Sequence, residues 1–305
     1  MVYLMLALGL FLLVYGGNML VDGSVVVAKK MGLSSLVIGL VLVGFGTSTP
    51  ELLASLISVY KGSNGIAVGN VIGSNIANIL LVLGLAALVH PIQIDIKDFK
   101  RDGVVLMVAS LMVLGASFLG IINRLMGLVF VLVLMGYVYY CYKTDKKNHQ
   151  DEIEIPQNTL SLPKALFKSI IGIALTMLGA KFLIDNAITL ARLWGVSEAV
   201  IGLTIVAVGT SLPELTASVI ASIKKENGVA FGNVVGSNIY NALFILGTVA
   251  LLLPIKIDAS MQIDSLIMLL VASVLTGIAF WKKEFSRSVG LLFVLSYIGY
   301  VFYLF

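Results

Sequence analysis

The chain has 305 residues, 59% hydrophobic and 12% charged, with a net charge of +4 at neutral pH. Soluble globular domains carry roughly 25% charged residues, so this composition excludes one and points to a chain dissolved in a bilayer. The positive balance does not signal nucleic acid, because the basic residues fall between apolar stretches, where they orient a membrane protein.

A spanning helix takes about 20 mostly apolar residues. The sequence offers ten such stretches in order, near 3–28, 34–60, 66–89, 103–119, 124–142, 164–191, 197–222, 229–253, 262–280 and 288–305. The first begins at Val2 with no basic residue ahead of it and outruns a signal peptide, so it reads as a retained helix. Between the fifth and sixth lies a polar linker, 143–163, too short to be a folded domain. The lone cysteine, Cys141, excludes an intrachain disulfide, and no Cys/His cluster has metal-ligand spacing. Alternate loops hold fourteen lysines and arginines, among them Lys97, Lys100, Arg101, Lys224 and Lys225, against Lys61, Arg124, Arg192 and Lys256 in the other set. Basic loops stay cytoplasmic, which puts the linker inside and both termini outside.

A shift of 163 residues lays VIGLVLVGFGTSTPELLASLI (37–57) on VIGLTIVAVGTSLPELTASVI (200–220), with fourteen of twenty-one positions identical. The same shift pairs VGNVIGSNIANILLVLG (68–84) with FGNVVGSNIYNALFILG (231–247) without a gap. Five stretches per half is an odd number, so the second half enters the membrane from the opposite side. The expected fold is therefore an all-α membrane protein of ten transmembrane helices in two inverted five-helix repeats, residues 1–142 and 164–305. Inverted repeats of this kind build many secondary transporters, with sites at mid-membrane.

Glu51 and Glu214 fall midway along the second and seventh stretches, where a carboxylate costs several kcal/mol and needs a partner. No lysine or arginine occurs in stretches two, three, seven or eight, leaving a bound cation or a proton. Pro50 and Pro213, just before these glutamates, lack an N–H and free carbonyls around Gly46, Thr47, Gly209 and Thr210. Thr47, Ser48, Glu51, Ser55 and Ser58 share one helical face, repeated by Thr210, Ser211, Glu214 and Ser218. Stretches three and eight answer with Asn70, Ser74 and Asn78, and with Asn233, Ser237 and Asn241. Asn70, Asn75, Asn233 and Asn238 equally fit a role as helix-to-helix glue, whereas Ser74, Asn78, Ser237 and Asn241 are the better ligands. A donor set of oxygen alone suits a hard cation, calcium rather than magnesium.

At these residues the sequence resembles the calcium/cation antiporter superfamily, nearest its prokaryotic sodium/calcium exchangers: GTSTPE (46–51) with GNVIGSN (69–75), and GTSLPE (209–214) with GNVVGSN (232–238). The resemblance implies that Glu51 and Glu214 bridge calcium with backbone oxygens of Thr47 and Thr210. It implies sodium sites drawing on the Gly44 and Ala207 carbonyls and on Ser48, Ser211, Ser74 and Ser237. It implies no enzyme activity and no cofactor, the ions being cargo, and a chain working as a monomer in a prokaryotic cell membrane. It also implies that the first and sixth helices slide across the other eight. Potassium-dependent relatives carry aspartate where this chain has Asn241, and the large cytoplasmic calcium-sensing insert of animal exchangers is replaced by the 143–163 linker. The expected activity is sodium/calcium antiport, with proton/calcium or potassium-dependent exchange as the alternative. A passive channel and a membrane hydrolase are the other classes; no HExxH or nucleophile-base arrangement supports the latter.

Overall fold

In a bilayer the backbone of an apolar run satisfies its polar groups by closing into a helix. The computed structural model describes residues 2–149, 160–195 and 207–304, and is helical over nearly all of them. In chain order the first half holds α1 (Val2–Met31), α2 (Ser35–Thr47), α3 (Thr49–Tyr60), α4 (Asn64–Val89), α5 (Ile96–Leu119) and α6 (Arg124–His149). The second half holds α7 (Leu162–Leu193), the short turn α8 (Ala207–Thr210), α9 (Leu212–Ile223), α10 (Asn227–Leu252), α11 (Met261–Lys282) and α12 (Arg287–Tyr303).

Among the described residues seven helices are long and apolar enough to cross a membrane, and the α2/α3 pair, bent by 42°, makes eight. The chain is thus a multi-pass integral membrane protein. The shorter apolar helices α9 and α12 follow the expected seventh and tenth stretches, although 197–206 lies outside the described residues. The linker expected at 143–163 is partly helical: α6 runs through its first residues and α7 begins inside its end, with 150–159 outside the described residues.

The chain is also not wholly helical. Two-residue strands β1 (Ile92–Gln93), β2 (Ile121–Ile122), β3 (Ile255–Lys256) and β4 (Glu284–Phe285) close loops in antiparallel pairs, Ile92 opposite Phe285 and Ile122 opposite Ile255. Moving Ile92 forward and Phe285 back by 163 residues turns one pair into the other. Gly120 ends α5 with a positive φ of 72° and feeds β2 directly, a conformation that costs glycine nothing.

Two helices form the centre. The spans of α4 and α10 are buried along 78% and 83% of their apolar windows, against 28–44% for the other five long helices. Around this core α1 and α7 cross antiparallel, Gly9 against Gly179 and Gly16 against Gly172, so that backbone meets backbone. A methyl group at Gly16 would stand 2.8 Å from the Gly172 carbonyl oxygen and 2.7 Å from the Thr176 nitrogen. Small residues at such crossings are how membrane helices gain close packing without a hydrophobic drive between them.

This crossing predicts a contrast between two glycines. Gly16→Val should cost about 1–3 kcal/mol or more through overpacking. Gly136→Ala, whose surroundings on α6 are open, should be neutral or slightly stabilising. Detergent-unfolding midpoints of the two variants check this, and equal midpoints would contradict the packing.

Candidate cation site

Each motif helix breaks just before its glutamate. Ser48 separates α2 from α3 with φ −83° and ψ 4°, and Ser211 separates α8 from α9 with φ −87° and ψ 5°. Pro50 and Pro213 then sit in the first turn of the new helix, where a missing N–H is tolerated. Glu51 and Glu214 therefore occupy helix N-termini, whose dipole favours negative charge. The local sequence turns a proline kink into a place where a buried carboxylate can be held.

Both glutamates are buried, at 1% and 0% exposure. The Ser48 hydroxyl donates to Glu214 Oε1 at 3.4 Å, linking the two halves directly. Thr47 donates to Asn233 Oδ1 at 3.2 Å and to the Gly44 carbonyl at 3.3 Å, and its hydroxyl lies 3.4 Å from that of Ser237. Ser237 also donates to the Gly44 carbonyl at 3.5 Å, which takes the Ser48 amide as well at 3.1 Å. Gly44, Thr47, Ser48, Glu214 and Ser237 thus form one hydrogen-bonded cluster. Ser74 and Thr210 line a common cavity of about 500 Å³, together with Asn70 and Gly73. Ala207 opens the turn α8 that carries Thr210.

The asparagines divide into two kinds. Asn70 donates to the Glu51 carbonyl at 3.3 Å and to Ser55 at 3.0 Å; Asn233 donates to the Glu214 carbonyl at 3.1 Å and to Ser218 at 2.9 Å. Asn75 donates to the Asn238 carbonyl at 3.2 Å, joining α4 to α10, and Asn238 to Val234 at 2.7 Å. Asn70, Asn75 and Asn233 thus fasten helices to one another, and Asn70 and Asn233 hold the backbone carbonyls of the glutamates. Asn78 and Asn241 are equally buried yet make no protein hydrogen bond with either side-chain atom. Glu51 Oε2, Glu214 Oε2 and the Ser211 hydroxyl share that condition. Buried polar atoms are normally paired, so this set is one that a hard cation fits.

Among the described residues no three His, Cys, Asp or Glu gather at a metal-binding distance. The centre instead has two carboxylates among neutral oxygens. Three features have no signal in the sequence pattern: the π-helical turns Gly39–Gly44, Asn78–Leu83 and Tyr240–Ile245. The first contains Gly44, the second starts at Asn78 and the third contains Asn241. A π-turn widens the helix and is frequent at functional sites. Elsewhere, buried Asp102 is held by Arg101 at 2.5 Å and Tyr137 at 2.8 Å, a structural cluster between α5 and α6.

Comparison with known proteins places these features in a family. The sodium/calcium exchanger protein family matches residues 1–143 and 164–305. The inner membrane protein YrbG of Escherichia coli is 32% identical over 299 residues, covering 94% of this chain and 92% of its own. The sodium/calcium exchanger MaX1 of Methanosarcina acetivorans is 32% identical over 347 residues, covering 99% and 98%. The solved structure of the sodium-calcium exchanger NCX_Mj, soaked with zero Na+ and Ca2+, superimposes with a TM-score of 0.86 at 31% identity, covering 100% of this chain and 99% of that one. With its paired motifs and buried carboxylates in the same chain-long frame, the protein belongs to the sodium/calcium exchanger family.

Proposed function

We propose that this chain exchanges sodium for calcium by alternating access, binding the ions between its two halves. The observation that carries the reading is the pair of glutamates, Glu51 and Glu214, each buried at a helix N-terminus with an unpartnered oxygen. Two carboxylates neutralise one calcium ion or two sodium ions. A third sodium leaves one excess charge, and competition between such loadings drives exchange. Calcium takes six to eight oxygens, which the glutamates, the Thr47 and Thr210 carbonyls, Asn78 and Asn241 would supply. Sodium would use Ser48, Ser211, Ser74, Ser237 and the Gly44 and Ala207 carbonyls. The Gly44 carbonyl lies within hydrogen-bonding distance of the Thr47 and Ser237 hydroxyls and the Ser48 amide, so sodium there would compete with those donors. The exchanger names carried by MaX1 and NCX_Mj support the choice of ions.

The same proposal includes ten spans in two inverted repeats, 1–142 and 164–305, with the 143–163 linker cytoplasmic, both termini outside and a monomer as the working unit. The antiparallel crossing of α1 on α7 and the equivalence of the two strand pairs under a 163-residue shift support inversion.

Sodium-loaded proteoliposomes diluted into sodium-free buffer should take up calcium. Uptake that ignores sodium and follows a proton gradient would establish proton/calcium exchange instead. Glu51→Gln and Glu214→Gln should each lower uptake roughly 100-fold or more, beyond the 10–100-fold typical of supporting groups. Full activity in either folded variant would remove the assigned site. Asn241→Asp adds a third carboxylate and should make uptake sensitive to pH or external potassium, whereas an unchanged ion profile would set Asn241 outside the site.

A further inference from the structure

Each of the two glycine-packed helices carries an aspartate away from the cation site. Asp22 of α1 is paired with Lys224, the residue that ends α9, at 2.5 Å, and with Lys168 of α7 at 3.0 Å. The 163-residue shift carries Asp22 to Asp185 of α7, and carries Lys224 back to Lys61, the residue that ends α3. That mate contact is not made. Among the described residues the ion pair of Asp185 is with Lys181 of its own helix, at 3.7 Å, and Lys61 is in no ion pair.

The apolar side chains beside the two positions differ in the same sense. Ile220 of α9 packs where Gly17 of α1 leaves room, and is 7% exposed. Its mate on α3, Ile57, is 54% exposed, and Leu53, the mate of Thr216, is 51% exposed. The structure is therefore closed between α1 and α9 and open at the mate position beside α3.

We propose that Asp22–Lys224 and Asp185–Lys61 are alternating locks that set which membrane face the cation site opens to. This rests on the antiport reading, because an antiporter must open its site to each face in turn. With inverted repeats the second state arises when the two halves exchange roles, so each contact is replaced by its mate. In that state Asp185 meets Lys61, Ile57 becomes covered, Asp22 leaves Lys224 and Ile220 becomes exposed. Lys168 and Lys181 both belong to α7 and stay with the α1/α7 pair, so they do not tell the states apart. Lys224 and Lys61 end the helices that carry the glutamates, so they do. The closed pair is partly exposed, 45% at Asp22 and 29% at Lys224, and pairs of that kind contribute modestly. A modest contribution suits a device that tips an equilibrium without trapping one side.

The test uses two reporter cysteines, Ile57→Cys and Ile220→Cys, in the full chain in nanodiscs, where a polar maleimide reaches both faces; the native Cys141 is buried. In sodium-free and calcium-free buffer, Ile57→Cys should react faster than Ile220→Cys. Adding Asp22→Asn or Lys224→Gln should speed the second about threefold and slow the first by a smaller factor, the scale of an exposed pair. Asp185→Asn or Lys61→Gln should slow Ile220→Cys instead, and Lys224→Gln with Lys61→Gln should restore the parent ratio. If all four substitutions move both reporters in one direction, or none moves either, the locks are disproved. Should Lys224→Gln fail to fold, Lys61→Gln on its exposed residue decides the matter. Sodium-driven calcium uptake by the unsubstituted chain is measured in parallel: its absence removes the antiport reading, whereas the labelling pattern judges the locks alone.

Discussion

Two carboxylates brought together where water is scarce repel one another and have lost most of their hydration, and the rest of this structure follows from holding them there. Burying a charge without a partner costs far more than a helix gains by forming. Glu51 and Glu214 meet that cost locally by standing at helix N-termini created by Ser48 and Ser211. They meet the remainder through an oxygen-lined surround whose unpartnered atoms suit a hard cation. Without the breaks, both side chains would project from mid-helix and the neighbouring carbonyls would stay inside the helical ladder.

The surround is rigid because its supporting amides are spent on protein contacts. Asn70 and Asn233 each clasp the carbonyl of the glutamate on the helix they pack against and one serine a turn further on. These contacts hold α3 to α4 and α9 to α10, while Asn78 and Asn241 are buried with neither side-chain atom engaged. Beside this centre the α1/α7 pair meets backbone to backbone at Gly9, Gly16, Gly172 and Gly179. A rigid site beside a smooth interface is a combination that permits one part to move while ion geometry is kept.

Much of this was legible in the residues themselves. The 163-residue repeat located both glutamates, their prolines and their serines, because polar letters in an apolar chain stand out and recur in register. The helix positions followed from apolar run length. The π-turns had no such signal, since Gly39–Gly44 and Asn78–Leu83 read as ordinary apolar helix and the change in winding comes from packing. The strand pairs were hidden for a related reason: two residues are too short to show alternation, and Ile92 finds Phe285 only once the helices α5 to α11 that separate them in the chain have been arranged. The difference in burial between Ile220 and Ile57 has no signal in the repeat, which gives both positions the same residue.

The central claim is that one site, built on both glutamates, binds calcium and sodium in competition. Equilibrium binding of radioactive calcium to the purified protein tests it most directly, in potassium or choline salt with sodium added stepwise. The account predicts one calcium per chain, displaced steeply by sodium and lost in both Glu51→Gln and Glu214→Gln. Calcium binding that survives either substitution, or that sodium leaves unchanged, would contradict it.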